Sequence, residues 1–370
     1  MTETHTSLDF DESAPVLEVS QLEVSYNTRE YGKVTAVDDV SFAVQDDEIF
    51  GLVGESGCGK STVAKAVLNL LPRNGAIESG AVRFKGVDIT DLTREEMDAL
   101  RWEHISVISQ GAMNALNPVH RISDQILEAI QTHRDVSTAE ARDRIVDLFE
   151  LVGLDSQRMD EYPHQYSGGM KQRAYIAMAL ALEPDIIIAD EPTTALDVIV
   201  QDQILRQIKE LQSELGVSMV LISHDISVIA ETCERLGVMY SGKMMESGNL
   251  QSIFAESHNP YTLGLQNAFP TLKGEKQDLI SIPGSPPPIT NLPSGCRFYD
   301  RCPFAEPGCL DAHPPLTEVN DDHYSACYRH EDAEMMREQA RERDTWQKQD
   351  PHAESTETNA AAVGEGETNE

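Results

Sequence analysis

An α/β fold follows from three features of this 370-residue chain. Short apolar runs at residues 49–53, 186–189 and 217–222 read as strands, and the last two, bounded by polar residues, as parallel strands buried on both faces. A helical stripe, Val63, Ala64, Ala66, Val67, Leu70 and Leu71, follows the first run at once. A glycine-rich loop joins that run to that helix. Strands alternating with helices are the signature of an α/β core.

Taken in order, residues 1–14 are polar and acidic and are expected to be disordered. Residues 16–26 alternate apolar with polar side chains, the pattern of an antiparallel sheet edge, and 34–44 continue it. The glycine-rich loop and its helix come next. Between Pro118 and Leu182 the periodicity is mostly helical, which predicts a helical insertion of about 112–180. The main domain then extends over 15–265. From about 266 the composition shifts: Pro283, Pro286, Pro287, Pro288 and Pro293 predict an extended linker. A compact cysteine-bearing segment runs from Gly295 to about His330, giving a second region over 266–330. The last forty residues, 331–370, hold twelve acids against four bases and are expected to be disordered. No repeat of fixed period is visible.

Charge narrows the function classes. The chain carries 29 basic and 63 acidic residues, a formal net of −34. Nucleic-acid binding needs a positive face to release counterions, and adhesion to anionic lipid needs the same sign. Both are disfavoured. Lysine is scarce, 10 against 19 arginines, and the expected acidic surface resembles that of proteins from salt-adapted, halophilic organisms. No run of eighteen apolar residues occurs, and the start has no basic segment followed by an apolar one. A soluble, cytoplasmic protein is expected.

The chemistry begins at residues 54–61. Gly54, Glu55, Ser56, Gly57, Cys58, Gly59, Lys60 and Ser61 fit GxxxxGK[ST] without a mismatch, with Thr62 following in the helix. Glycines let successive backbone N–H groups curl inward onto phosphate oxygens, aided by the helix N-terminus. Lys60 is expected on the β and γ phosphates and the Ser61 hydroxyl on Mg²⁺. Cys58 occupies a free position with no base beside it and reads as a small filler. The strand at 186–190 ends in Asp190 and Glu191. Asp190 can hold Mg²⁺ through water, and Glu191 can polarise the attacking water as general base.

Those two motifs alone describe a P-loop NTPase. Just upstream of Asp190 stand Tyr166, Ser167, Gly168, Gly169 and Met170, a YSGGM sequence. At this point the chain resembles the ATP-binding cassette (ABC) family, whose signature is usually LSGGQ. Gln110 matches the family's Q-loop, Ala195, Leu196 and Asp197 its D-loop, and His224 its switch histidine. Tyr26 sits where the family places an adenine-stacking aromatic, with Tyr31 as a competitor.

The resemblance implies a RecA-like core with an antiparallel β subdomain and a helical subdomain, plus a small Cys-rich C-terminal extension. It also implies two cassettes facing head to tail around two ATP molecules. Ser167, Gly168 and Gly169 would complete the opposite cassette's site, with Asp197 alongside. His224 would bond the γ-phosphate and position Glu191, and Gln110 would sense Mg²⁺ and the attacking water. One departure stands out. Residues 111–115 read Gly-Ala-Met-Asn-Ala where the family more often has Asp-Pro-Met-Thr-Ser, which softens the loop expected to face membrane partners.

Four cysteines, Cys296, Cys302, Cys309 and Cys327, crowd the C-terminal segment. Disulfides are disfavoured in a cytoplasmic chain. Four thiolates suit Zn²⁺ or an iron–sulfur cluster, although the gaps of five and six residues are wider than zinc knuckles. Unligated thiols remain the plain alternative. The surrounding sequence, Pro283 to Pro287, Leu292 to Phe298 and Arg301 to Pro303, resembles the D-type ATPase subunit of oligopeptide and dipeptide ABC importers. Some members of that branch hold a [4Fe–4S] cluster on these four cysteines, and the resemblance carries it here as a structural cofactor.

The function so implied is ATP hydrolysis at the cytoplasmic face of the cell membrane, driving import of peptides or a similar solute. Two transmembrane permeases, a second homologous ATPase and an extracytoplasmic solute-binding protein would be partners, and nucleic acid would not. The alternative is a soluble ABC ATPase acting on nucleic acid or ribosomes. The single cassette, the lack of heptads and the acidic charge weigh against it.

Overall fold

The computed structural model describes residues 8–111, 115–194, 196–268 and 279–347. The chain divides into two compact units, Met1–Met244 and Met245–Glu370.

The first unit opens with β1 (Leu17–Thr28), β2 (Gly32–Val44), β3 (Ile49–Val53) and α1 (Lys60–Val67). Then come β4 (Gly75–Phe84), β5 (Val87–Asp88), α2 (Arg94–Leu100) and β6 (Ile105–Ile108). Three helices follow, α3 (Ile122–His133), α4 (Thr138–Leu151) and α5 (Gly168–Ala179). The unit closes with β7 (Ile186–Asp190), α6 (Val198–Leu215), β8 (Ser218–Ser223), α7 (Ile226–Thr232) and β9 (Arg235–Tyr240).

One sheet is antiparallel, in the order β2-β1-β4-β5. Its strands bury alternate residues, as the sequence pattern requires: Leu17, Val19, Leu22 and Val24 are inside. The register of β1 slips near Leu22, where Gln21 has a positive φ of 48°. Gly80 opposite must be glycine, since a Cβ there would lie 2.3 Å from the Gln21 carbonyl oxygen. In the other sheet, β9, β3, β8, β7 and β6 lie side by side in that order and run parallel. Every residue of β3 and β8 is buried, which is why these strands are apolar without alternation. Phe42 of β2 stacks on Phe50 of β3 at 5.0 Å, so one core is shared by both sheets.

The helical insertion is pinned locally. Ser137 and Glu140 close a capping box on α4, and Asp160 accepts from Arg142 at 2.8 Å and Ser123 at 2.7 Å. These bonds tie α3 and α4 to the loop that leads into the YSGGM turn.

Two expectations shift in this unit. The helical stripe after the glycine loop ends at Val67, because Asn69 adopts a left-handed φ of 49°; Leu70 is 51% exposed and is no part of the core. Residues 8–14 of the acidic lead pack down: Phe10 meets Phe84 edge-on at 5.3 Å, and Asp11 donates its N–H to the Lys85 carbonyl.

The second unit holds β10 (Lys243–Asn249), α8 (Leu250–Glu256), α9 (Pro260–Asn267), β11 (Thr317–Asn320), β12 (His323–Ser325), α10 (Ala333–Gln339) and α11 (Arg343–Gln347). β12 pairs antiparallel with both β10 and β11. Glu246 is fully buried, accepting from His258 N–H, Ser257 Oγ and, at 3.0 Å, facing His323 Nε2. Asn259 donates to the carbonyls of Met245 and Ala326. Residues 245–265 therefore pack with the C-terminal segment, which places the unit boundary some twenty residues earlier than the composition shift.

The acidic tail also begins later than 331. Its first residues form α10 and α11, and Trp346 is 2% exposed, with Nε1 donating to the Ala340 carbonyl at 2.8 Å. A few apolar residues spaced to meet a waiting hollow order this segment despite its charge. Gly264 provides the hollow: a Cβ there would lie 2.6 Å from both Trp346 and Ile282.

Candidate nucleotide site

The phosphate loop sits between β3 and α1. Gly54 and Gly59 are backbone necessities, since a Cβ would lie 2.1 Å from the Met239 carbonyl oxygen in the first case and 2.6 Å from that of Ala36 in the second. Gly59 is the N-cap of α1, with a φ of 110° and no side-chain capping bond. The first N–H groups of the helix are thus left for an anion. Lys60 is 5% exposed, and its Nζ donates to the carbonyls of Gly54 at 2.6 Å and Glu55 at 3.1 Å. The ammonium is folded back across the loop on weak neutral acceptors. Cys58 is buried beneath it, and burial pushes its thiol up, which fits a filler.

The second half of the site lies at the end of β7. Ser61 Oγ donates to Asp190 Oδ1 at 3.2 Å. Burial pushes the Asp190 carboxyl up, the mark of a desolvated anion short of positive charge. A hard divalent cation such as Mg²⁺ fits this pair, a hydroxyl and an under-compensated carboxylate beside a phosphate cradle.

Glu191 is held differently. Its φ of 50° is strained for a residue with a side chain. Its Oε2 accepts from Gln110 Nε2 at 2.8 Å and Thr194 Oγ1 at 2.9 Å, and its Oε1 faces His224 Nδ1 at 3.2 Å. Burial pushes this carboxyl up, but the bonds from Thr194 and His224 outweigh it and leave Glu191 below its ordinary range. Gln110, Glu191 and His224, which the sequence singled out from separate loops, come together here. Thr194 was missed; its only signal was a hydroxyl three residues after the acid.

Tyr26 reaches the same loop. Its hydroxyl lies 3.2 Å from Thr62 Oγ1, and its ring passes so close to Gly75 that a Cβ there would lie 2.7 Å away. Tyr31 is 58% exposed, its N–H bonded to Thr28.

The YSGGM turn builds a separate groove. Ser167 caps α5 by accepting from the Met170 N–H, and Asp197 caps α6 by accepting from the Val200 N–H. A Cβ at Gly169 would lie 2.8 Å from Val200, so glycine lets the two helix starts meet. Gly153, Ser167, Gly168, Gly169 and Asp197 line one groove, which contains no phosphate-loop residue. Ala195, and residues 112–114 of the departure after Gln110, lie outside the described residues.

Residues 37–194 match the family model described as ABC transporter, and 245–309 match that of the oligopeptide/dipeptide transporter C-terminal region. The oligopeptide transport ATP-binding protein OppD of Escherichia coli is 43% identical over 316 residues, covering 85% of this chain and 93% of OppD. The chain belongs to the ABC transporter ATP-binding family, in its oligopeptide/dipeptide branch. The dipeptide transport ATP-binding protein DppD of Bacillus subtilis is 44% identical, covering 85% and 94%. Among solved structures, the dimeric ATP-binding cassette MJ0796 bound to ADP and Pi superposes with a TM-score of 0.57 at 27% identity, covering 63% of this chain and 98% of that one. CbiO1 of Clostridium perfringens gives 0.58 at 27% identity, covering 66% and 92%.

Two expectations for this ABC ATPase are overturned. Cys296, Cys302, Cys309 and Cys327 all line one apolar pocket with Phe298 and Phe304. Among the described residues, however, no three His, Cys, Asp or Glu side chains are grouped to hold a metal ion. Burial pushes the Cys296 thiol up to about 11, that of Cys327 to about 12 and that of Cys302 well above its ordinary value. The [4Fe–4S] cluster is therefore not carried over. A halophilic origin is likewise not supported: relatives in Escherichia coli and Bacillus subtilis align with 85% of the chain at 43% and 44% identity, and several acids here do ordinary structural tasks. Glu96 and Glu140 close capping boxes, and Asp185 bridges Lys85 and His104.

Proposed function

We propose that this ABC ATPase works at the cytoplasmic face of the membrane, where it drives import of oligopeptides or dipeptides through two permeases. Its other partners are a second, homologous cassette and an extracytoplasmic solute-binding protein. The observation that carries the reading is the convergence of Gln110, Thr194 and His224 on Glu191, next to the Ser61–Asp190 pair and the phosphate loop. Among the described residues no helix is long and apolar enough to cross a membrane, so translocation belongs to partner chains. A nucleic-acid or ribosome substrate is disfavoured by a net charge of −34.

The residues divide the work. The free N–H groups at the start of α1 and the loop amides bind the phosphates of ATP. Lys60 exchanges the carbonyls of Gly54 and Glu55 for β- and γ-phosphate oxygens, a gain from neutral to anionic acceptors. Tyr26 stacks on adenine. Ser61 and Asp190 would hold Mg²⁺, with Gln110 as a further candidate ligand; the bound ion would supply positive charge to the phosphate oxygens. Glu191 accepts the proton of the attacking water. In the resting site three donors hold it as a weak base. As His224 turns to the γ-phosphate and Gln110 to the water, Glu191 loses those bonds and becomes a stronger base. Ser167, Gly168, Gly169 and Asp197 present their groove to nucleotide bound on the partner cassette, and loss of the γ-phosphate releases that contact.

The test is Glu191→Gln in the transporter assembled with its permeases and partner cassette. ATP binding is retained and hydrolysis falls by at least a hundredfold, roughly the value of a positioned general base. Hydrolysis at the unaltered rate would overturn the general-base assignment.

A further inference from the structure

Ser109 is the residue before Gln110, and it follows β6 directly. Tyr175 lies two turns into α5, the helix whose first residues carry the Ser167–Gly169 turn. Their hydroxyl oxygens are 3.2 Å apart. Tyr175 is only 9% exposed, and its ring helps line a groove with Leu70, Trp102, Val107 and Met178. Apart from this bond, the groove walls from α5 and β6 are apolar or small. Apolar contact is non-directional and tolerates sliding, whereas a hydrogen bond fails steeply with distance and angle.

The bond joins two parts of the machinery that serve different nucleotides. At one end is the turn that faces the partner cassette's ATP, about 12 Å along a rigid helix from Tyr175. At the other end is Gln110, whose Nε2 is bonded to Glu191 of the chain's own site at 2.8 Å. We propose that Tyr175 is a positioning residue: through Ser109 it fixes the register of Gln110 against the signature helix, so that movement of α5 reaches Glu191. The proposal rests on the ATPase reading above and adds the route by which one nucleotide site senses the other.

The experiment is a double-mutant cycle on the full-length chain assembled with its permeases and partner cassette. Tyr175→Phe removes one oxygen and keeps the ring, and Ser109→Ala removes the other partner. Each is expected to lower kcat for ATP hydrolysis about five-fold, the loss of one typical hydrogen bond, with KM for ATP unchanged and Tm lower by no more than about 2–4 °C, too little to unfold the chain at the assay temperature. The double variant is expected to be no worse than either single one, because both remove the same bond. Ser109→Thr, which keeps the hydroxyl, is expected to hydrolyse normally. Full activity in Tyr175→Phe, multiplied losses in the double variant, or a fall in kcat that tracks a fall in Tm would each overturn the proposal. Failure of the peptide-import reading looks different: the unaltered assembly would hydrolyse ATP without responding to peptide, and the cycle would still report on basal turnover.

Discussion

Asp190 and Glu191 are adjacent carboxylates driven in opposite directions: burial pushes Asp190 up, while the bonds from Thr194 and His224 overcome burial and hold Glu191 down. One peptide bond separates a group that lacks positive charge from one that has a surplus of donors. The difference sorts their roles, since the first suits a cation and the second a water held for later use.

Asp190→Asn follows from that difference. A carboxyl raised in the folded state matches its unfolded form at low pH, and costs stability once pH rises through the folded pKa. At neutral pH the amide variant is therefore expected to have a higher Tm than the parent when nucleotide and metal are absent. Adding Mg²⁺ with ATP reverses the order, because the parent's carboxylate gains more from the cation than the amide does. A thermal-shift series with and without Mg²⁺-ATP checks both signs.

Lys60→Ala is expected to weaken ATP binding about 10- to 100-fold, the range for charge-assisted hydrogen bonds of about 1.5–3 kcal/mol. The same change should leave Tm of the nucleotide-free chain nearly untouched, since Nζ gives up two loop carbonyls and a weak contact with the Cys58 sulfur, all neutral acceptors. Nucleotide titration by calorimetry, with Tm measured alongside, separates loss of a ligand contact from loss of the loop.

The two candidate aromatics differ in placement. Tyr26 is fastened to the phosphate-loop helix through Thr62, whereas Tyr31 stands in solvent. Tyr26→Ala is expected to cost about 1–3 kcal/mol of ATP affinity, the worth of stacking a base on an aromatic ring. Tyr31→Ala is expected to cost nothing. Equal effects would mean that the adenine lies elsewhere.

The cassette was legible because its chemistry is local in sequence. Residues 54–61, Asp190 with Glu191, and Ser167 to Gly169 each carry their geometry in a few neighbours. Strands such as β3 and β8 announce themselves by unbroken apolar runs. Thr194 and the Tyr175–Ser109 bond were not legible, since each is a single hydroxyl whose partner is set by tertiary folding. The cysteines misled for the converse reason: crowding in sequence, and even a shared pocket, does not amount to a group arranged to hold a metal. At the C-terminus, average charge hid the buried Ala333, Met336, Ala340 and Trp346 of residues 333–347.

Trp346 gives the test of that last segment. Its ring fills the space beside Gly264 and Ile282, and its Nε1 satisfies the Ala340 carbonyl that also accepts from Asn267 Nδ2. Trp346→Ala opens a cavity the size of an indole and removes one buried donor, a loss of about 3–5 kcal/mol for a large aromatic. Because the affected contacts lie within Met245–Glu370, the loss should appear as earlier unfolding of that unit, with ATP affinity at the phosphate loop unchanged. Trp346→Phe, which keeps most of the volume, is expected to recover about half. Urea denaturation followed by far-UV circular dichroism, beside an ATP titration, reads both. An unchanged midpoint in Trp346→Ala would mean that the acidic tail contributes nothing to the unit's stability.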